Sequence, residues 1–446
     1  MFKFLSRVFL NKELRTRILI TIGILIVARF LAIIPMPGIS RVDFANYLSQ
    51  ANFSSSTNGL LGIIGLISGN GMGAFSSFSI IMMGVGPYIT ASIIVQLMSS
   101  VIPYLEEMTY EGEAGRTKIN FITKVLSIPL TFLQGYSFIL FMRSQSSGSS
   151  EISMKIFQNL VGFDLFLALV AVTVGTLFLT WLGDLITEYG IGNGVSIIIF
   201  AGIVSRIPFF VSSFVEDFKT GLENLPQTIL FLLLGVIVLL VVIFITEAER
   251  KVQVAYAKRM QGNRMYGGMN TYLPIKVNQG GVIPIIFAIS ILNFPNILAG
   301  FFQNAKTDWL ATFSQKILTD FNQNSNVYLL IYFALVILFS YFYGVIALQP
   351  DKLSDNLQKQ GGYIPGIRPG KPTAEFLTKV LARVTLAGSL FLGLMATMPA
   401  LLMRWTGNST MAIGGTSLLI AVSVAIEIYR FFNAQLVQYS YQNSKF

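Results

Sequence analysis

Residues 160–183 read LVGFDLFLALVAVTVGTLFLTWLG, an apolar run in which Asp164 is the one charged residue. An α-helix rises 1.5 Å per residue, so roughly 20 mainly apolar residues suffice to cross the hydrocarbon core of a bilayer. This stretch is long enough to do so. Working outward from it, comparable runs fall near 18–34, 75–102, 119–142, 192–214, 226–246, 281–302, 327–348, 376–403 and 411–436. Together they predict ten membrane spans. The first is short, and the fifth is interrupted near Arg206-Ile207-Pro208.

Composition agrees with that reading. The chain has 446 residues, of which 53% are hydrophobic and 12% charged, with 37 Phe. A soluble protein carries about 25% charged residues, so half of the usual polar covering is missing and lipid must solvate much of the outside. Cys and His are both absent. That removes disulfides, thiol nucleophiles, Cys/His metal sites and imidazole acid–base chemistry. Carboxylate or Ser chemistry stays open.

The basic N-terminus, Met1 to Arg17, precedes an apolar run that ends in the turn Pro35-Met36-Pro37-Gly38. It reads as a retained first span, since no small-residue cleavage site follows a short apolar core. With the N-terminus placed in the cytoplasm, 22 of the 31 Lys and Arg residues fall on the cytoplasmic side and 9 on the other. That asymmetry follows the positive-inside rule. The net charge of +10 is therefore sided, which favours membrane topology over general nucleic-acid affinity.

Two cytoplasmic loops, about 247–279 and 349–375, are far longer than simple connectors. Their basic, Gly-Tyr-Pro-rich content favours a docking platform over plain topological anchoring. Between spans one and two, TNGLLGIIGLISGNGMG (57–73) is apolar but too short and Gly-rich to span alone. It is either a re-entrant element tucked into the bundle or an interfacial loop on the outer surface. Five spans precede residue 220 and five follow, so the halves have opposite orientations, a recurring plan in transporters.

The intramembrane charges are few: Arg29, Asp164, Glu427 and Arg430. None forms a relay-like cluster. Glu427 and Arg430 stand three apart on one helix face, which predicts a local pair. No GxxxxGK[ST] loop is present; GEAGRTK (112–118) has the wrong spacing. Work for uphill movement would have to come from a partner. Gly84-Val85-Gly86-Pro87, Gly280-Gly281-Val282-Ile283-Pro284 and Gly414-Gly415-Thr416 mark places of close helix packing or of helices that part and reclose. A small-solute transporter or an intramembrane carboxylate enzyme would need clustered polar groups at mid-depth, and the sequence lacks them.

Longer motifs point to a family. EGEAGRTKI (111–119), GVGPYITASIIVQL (84–97), GIGNGVSIIIFAGIV (190–204), YAKRMQGNRMYGGMNTYLPIKVNQGGVIPIIFA (256–288), IPGIRPG (364–370) and GGTSLLIAVS (414–423) resemble bacterial members of the SecY/Sec61-alpha family, in the family's order and over nearly the whole chain. Plastid relatives share these motifs. The resemblance implies an all-α membrane protein of ten transmembrane helices in two inverted five-helix halves, 1–220 and 221–446, with a re-entrant plug helix. It implies a passive, non-enzymatic channel, without metal or cofactor, that secretes unfolded preproteins across the bacterial plasma (inner) membrane. Membrane proteins leave it laterally, and both termini are cytoplasmic. The implied partners are SecE and SecG in a heterotrimer, the SecA ATPase, the ribosome through its rRNA, and signal peptides and nascent chains.

Carried over by position, the pore ring is Val85, Ile89, Val195, Ile199, Ile286 and Ile420, with Val at two places where the family commonly has Ile. The plug is 57–73, with Leu60, Leu61, Ile63, Ile64, Leu66 and Ile67 as its apolar residues. The lateral gate runs between spans two and three and spans seven and eight, with Thr90, Gln134 and Asn278 as its polar groups. SecA or the ribosome docks on Lys258, Arg259, Arg264 and Arg368; Asn263 departs from a frequent Arg.

Overall fold

In the computed structural model, the described residues are 11–38, 79–99, 101–146, 162–205, 207–208, 225–256, 259–261, 264–266, 270–281, 283–302, 307–321, 325–406 and 414–443. Each of the ten predicted segments carries a helix. In the first half these are α1 (Lys12–Leu31), α2 (Gly86–Ser99), α4 (Glu113–Ser146), α5 (Phe163–Tyr189) and α6 (Gly194–Val204). The short α3 (Pro103–Tyr110) lies between α2 and α4. In the second half they are α7 (Leu225–Glu247), α8 (Ile283–Phe302), α10 (Asn326–Leu348), α12 (Lys371–Thr406) and α13 (Gly414–Asn443). Two further helices stand in connections, α9 (Asp308–Asp320) and α11 (Pro350–Lys359).

Four described helical stretches are long and apolar enough to cross a membrane: Phe163–Tyr189, Asn326–Lys359, Lys371–Met398 and Leu419–Gln438. Among the other predicted spans, α4, α7 and α8 are 34, 23 and 20 residues long. Lys12, Glu13, Arg15 and Arg17 charge the first turns of α1, and Arg116, Lys118 and Lys124 charge those of α4. Among the described residues of the segment 75–102, α2 accounts for 14, and the chain bends by 105° into α3. In the segment 192–214, α6 is 11 residues long, about 16 Å of helix. Asn193 caps its start, accepting from the Ser196 N–H, and Ser205 caps its end.

The helices pack as a bundle around one large apolar cluster. Ile81, Val85, Leu179, Ile186, Ile198, Ile285, Leu292, Val336, Leu419 and Val424 are among its buried members. Large apolar side chains are exposed around the outside, including Phe163 (74%), Phe244 (76%) and Leu330 (70%). A water-soluble fold would bury such side chains; in lipid they meet acyl tails at no cost.

Very close backbone approaches tighten the bundle. A Cβ on Gly175 of α5 would overlap the carbonyl oxygen of Ile80, in the turn before α2. A Cβ on Gly194 would overlap the Gly183 carbonyl where α5 and α6 meet, and Gly388 of α12 stands as close to the Val277 carbonyl. The Ile80 N–H also donates to the Ile34 carbonyl at 3.2 Å, tying the end of α1 to the same turn.

The expectation of an all-α chain needs an addition. The loop 247–279 forms β1 (Glu249–Tyr256), β2 (Arg259–Gln261), β3 (Arg264–Tyr266) and β4 (Asn270–Lys276), and the loop 349–375 supplies β5 (Gly362–Tyr363). β1 pairs antiparallel with β4 from Glu249↔Lys276 to Ala255↔Asn270. On its other edge it pairs with β5 through Ala255↔Tyr363 and Tyr256↔Gly362. β2 and β3 form a hairpin, with Gln261 opposite Arg264. The two long loops are therefore one structure. Val252 and Ile275 of the sheet pack with Ile364 and with Leu377 and Leu381 of α12, so the first turns of α12 form the footing of this platform.

Candidate functional site: an apolar waist and its platform

The six predicted ring residues all lie in the main apolar cluster. Val85, Ile89, Ile199 and Ile420 are 0%, 8%, 4% and 5% exposed. Val195 and Ile286 are half-buried and pack against the same cluster. Their spacing explains how each helix delivers them. Val85 and Ile89 are four apart, as are Val195 and Ile199, so each pair shares a helix face. The Val85 carbonyl accepts the Ile89 N–H at 3.0 Å, which extends the first turn of α2 back to Val85. Gly183 lets α6 approach α5 closely, since a Cβ there would stand 3.3 Å from a Val195 methyl. Four of the six residues come from before residue 220 and two from after it. The six candidate ring positions are thus drawn from both sequence halves and are all aliphatic.

The predicted gate residues behave differently. α8 packs against both α4 and α2, so the seam between the halves is in contact. Across it, the polar groups do not clasp one another. The Thr90 hydroxyl donates to the Gly86 carbonyl of its own helix at 3.1 Å. The Asn278 amide donates to the Gly281 carbonyl at 3.1 Å, and its buried Oδ1 has no partner among the described residues. Gln134 is half-buried on α4. A contact that the sequence reading missed does cross the seam: the Gln96 side chain of α2 meets the Tyr343 hydroxyl of α10. The Tyr343 ring also meets Phe287 of α8 edge-on at 6.4 Å, and Gly280 leaves room for it. No periodicity marks this pair, because its members are distant in sequence and each looks like ordinary helix polarity.

Glu427 and Arg430 do not form the predicted local pair. Arg430 Nη2 instead lies 3.1 Å from Glu247 Oε1 at the end of α7. Lys276, at the end of β4, completes a charge cluster there. Burial pushes its ammonium below the usual lysine range, helped by Arg430 and opposed by Glu247, Glu249 and Glu427. The cluster joins α7, α13 and the sheet at one point.

On the platform, Arg368 is exposed in a tight turn between Gly366 (φ 85°) and Gly370 (φ 95°). Two hydroxyls fix that turn: Thr373 donates to the Arg368 carbonyl and Ser354 to the Gly370 carbonyl, each at 2.8 Å. Arg259 and Arg264 lie on the β2–β3 hairpin. Lys258 and Asn263 lie outside the described residues, as do Leu60, Leu61, Ile63, Ile64, Leu66 and Ile67 of the predicted plug.

An apolar helix bundle with large apolar side chains on its outside and a strand platform built from its two long loops defines a polytopic membrane protein in class. The SecY family profile matches residues 79–429. Protein translocase subunit SecY of Streptomyces coelicolor is 39% identical over 439 residues, 98% of each chain. The Staphylococcus aureus subunit is 40% identical over 448 residues, 99% of each chain. Among solved structures, that of a protein conducting channel aligns with a TM-score of 0.63 at 20% identity, covering 94% of this chain and 92% of the other. Sec61 in the canine ribosome–channel complex aligns with a TM-score of 0.58 at 19% identity, with the same coverage. The chain belongs to the SecY family.

Proposed function

We propose that this chain is the pore of a protein translocon, a passive channel through which unfolded preproteins cross the bacterial plasma membrane and from which apolar segments pass sideways into lipid. The observation that carries the reading is the waist. Six aliphatic residues from both halves converge in one apolar cluster within a chain of the SecY family. An aliphatic constriction gives an extended polypeptide no hydrogen-bond partners to hold it, and it resists ions by dewetting. Two Val members make the constriction slightly wider than an all-Ile one.

In this reading all ten helical segments span the membrane, arranged as two inverted halves with cytoplasmic termini. Residues 57–73 plug the outer funnel. The seam between α2 and α4 on one side and α8 and α10 on the other opens laterally, through polar groups at Thr90, Gln134 and Asn278. The Gln96–Tyr343 contact across it, worth about 1 kcal/mol, helps to hold it shut until a hydrophobic segment wedges in. SecE and SecG complete the trimer. SecA or the ribosome docks on the strand platform through Lys258, Arg259, Arg264 and Arg368, whose guanidinium groups suit acidic protein surfaces and RNA phosphates alike.

The test is transport into vesicles holding this chain with its two small partners, driven by the ATPase and ATP. A signal-bearing preprotein should become protected from external protease. If protection is no greater than for the same preprotein without its signal, the reading fails.

A further inference from the structure

α9 stands at the end of the bundle opposite the strand platform. β4 leads into the N-terminal end of α8, whereas α9 follows the C-terminal end of α8 and precedes α10. One side of α9 is docked on the protein. Ser314 is 1% exposed and its hydroxyl donates to the Ala299 carbonyl of α8 at 2.6 Å. Phe321, just beyond the helix, packs against the main apolar cluster. Another side is polar and open, with Thr312, Gln315 and Lys316 exposed.

Between these two sides run Trp309 and Phe313, four residues apart and so on one helix face. They are 73% and 54% exposed, and their rings stack with centroids 5.9 Å apart and planes 14° from parallel. At the neighbouring start of α10, Val327 and Leu330 are 49% and 70% exposed. The apolar outer surface of that span therefore begins where α9 ends. Docked, apolar and wet faces side by side are what a helix lying flat at a lipid–water boundary requires. An indole, with a large apolar body and one N–H donor, partitions to that depth. Lys316 can extend its stem past the ring toward headgroup phosphates.

We propose that α9 lies in the plane of the outer membrane interface, with Trp309 and Phe313 sunk into the boundary between lipid headgroups and acyl chains, anchoring that end of the C-terminal half. This goes beyond the transport reading and rests only on membrane insertion, so transport can fail without touching it.

The test uses the full chain with its partner subunits in phosphatidylethanolamine–phosphatidylglycerol vesicles, some carrying bromine on the acyl chains near the glycerol end and some near the methyl end. The chain holds 3 Trp, so the Trp309 signal is the difference between the wild-type emission and that of Trp309→Phe. Shallow bromines should remove the larger part of that difference, deep bromines less, and aqueous iodide little. Stronger quenching by deep bromines, or strong quenching by iodide alone, would overturn the placement. Silence toward all three quenchers would put protein rather than lipid over the helix and overturn it too. Should Trp309→Phe fail to assemble, Phe313→Trp in the wild-type chain adds a second indole at the same depth, and the added intensity is read the same way.

Discussion

Replacing Gly175 by Ala puts the contact between α5 and the turn before α2 under direct load. The new methyl would overlap the Ile80 carbonyl oxygen, stand 2.9 Å from the carbonyl carbon and lie 3.2 Å from the Ile81 Cγ2. Two of these three neighbours are backbone atoms, so no rotamer change relieves the clash. The turn must move by about 1 Å, and overpacking of this kind costs about 1–3 kcal/mol. The turn also carries Val85, a fully buried residue of the proposed waist, and its Ile80 N–H is bonded to Ile34. Strain entered at Gly175 therefore displaces a waist residue as well as destabilising the fold. Gly23→Ala is the control, because a Cβ there meets nothing within 4 Å. Thermal unfolding of the purified complex should show a clear loss for Gly175→Ala and none for Gly23→Ala. Planar-bilayer recording of the resting channel should show added ion leak for the first variant alone. Unchanged stability together with an unchanged resting current would refute the linkage between this packing contact and the waist.

Three further outcomes follow from contacts described above. Tyr343→Phe keeps the ring against Phe287 and removes only the hydroxyl that meets Gln96. Parting the helices should become easier by about 1 kcal/mol, so export of a preprotein with a shortened hydrophobic signal should rise severalfold; export at the wild-type level would count against a seam contact. The Arg430–Glu247 pair is partly exposed, with side chains 36% and 51% accessible, so Arg430→Gln should cost only about 0.2–1 kcal/mol. A double-mutant cycle with Glu247→Gln should show coupling, and additive losses would show that the pair contributes nothing. Arg368→Glu should sharply lower ATPase-driven export while the unfolding temperature stays unchanged, because the side chain is exposed and the turn is held by Ser354 and Thr373. Normal export by that variant would remove Arg368 from the docking surface.

The helices were legible because lipid imposes a length and an apolar requirement that can be read run by run. All ten predicted segments carry one. The grouping of six aliphatic residues as a proposed waist came only through the motifs. Ile199 or Ile420 alone looks like any packed aliphatic residue, and the grouping came from the family's order of positions. The strand platform was missed for a physical reason: β5 is two residues long and pairs with a strand more than a hundred residues earlier. Local pattern holds no record of such a partner. The alternation of Val252 and Val254 in β1 is a usable signal, but the polar surroundings made it read as loop. One local pairing gave way to a tertiary contact, and one expected tertiary contact gave way to a local bond. Arg430 leaves its neighbour three residues away for Glu247, 183 residues away in sequence. The Thr90 hydroxyl bonds its own helix backbone rather than reaching across the seam.

The central claim is that a moving polypeptide touches the aliphatic waist, and the absence of Cys from this chain makes that directly measurable. Single cysteines are placed at Val85, Ile89, Val195, Ile199, Ile286 or Ile420, and for comparison at the outward-facing Leu240 and Leu330. A preprotein with one cysteine is stalled midway and oxidised. Disulfide adducts should form at the six waist positions and be absent at the two outer ones. Adducts at the outer positions, or none at the waist, would contradict the account.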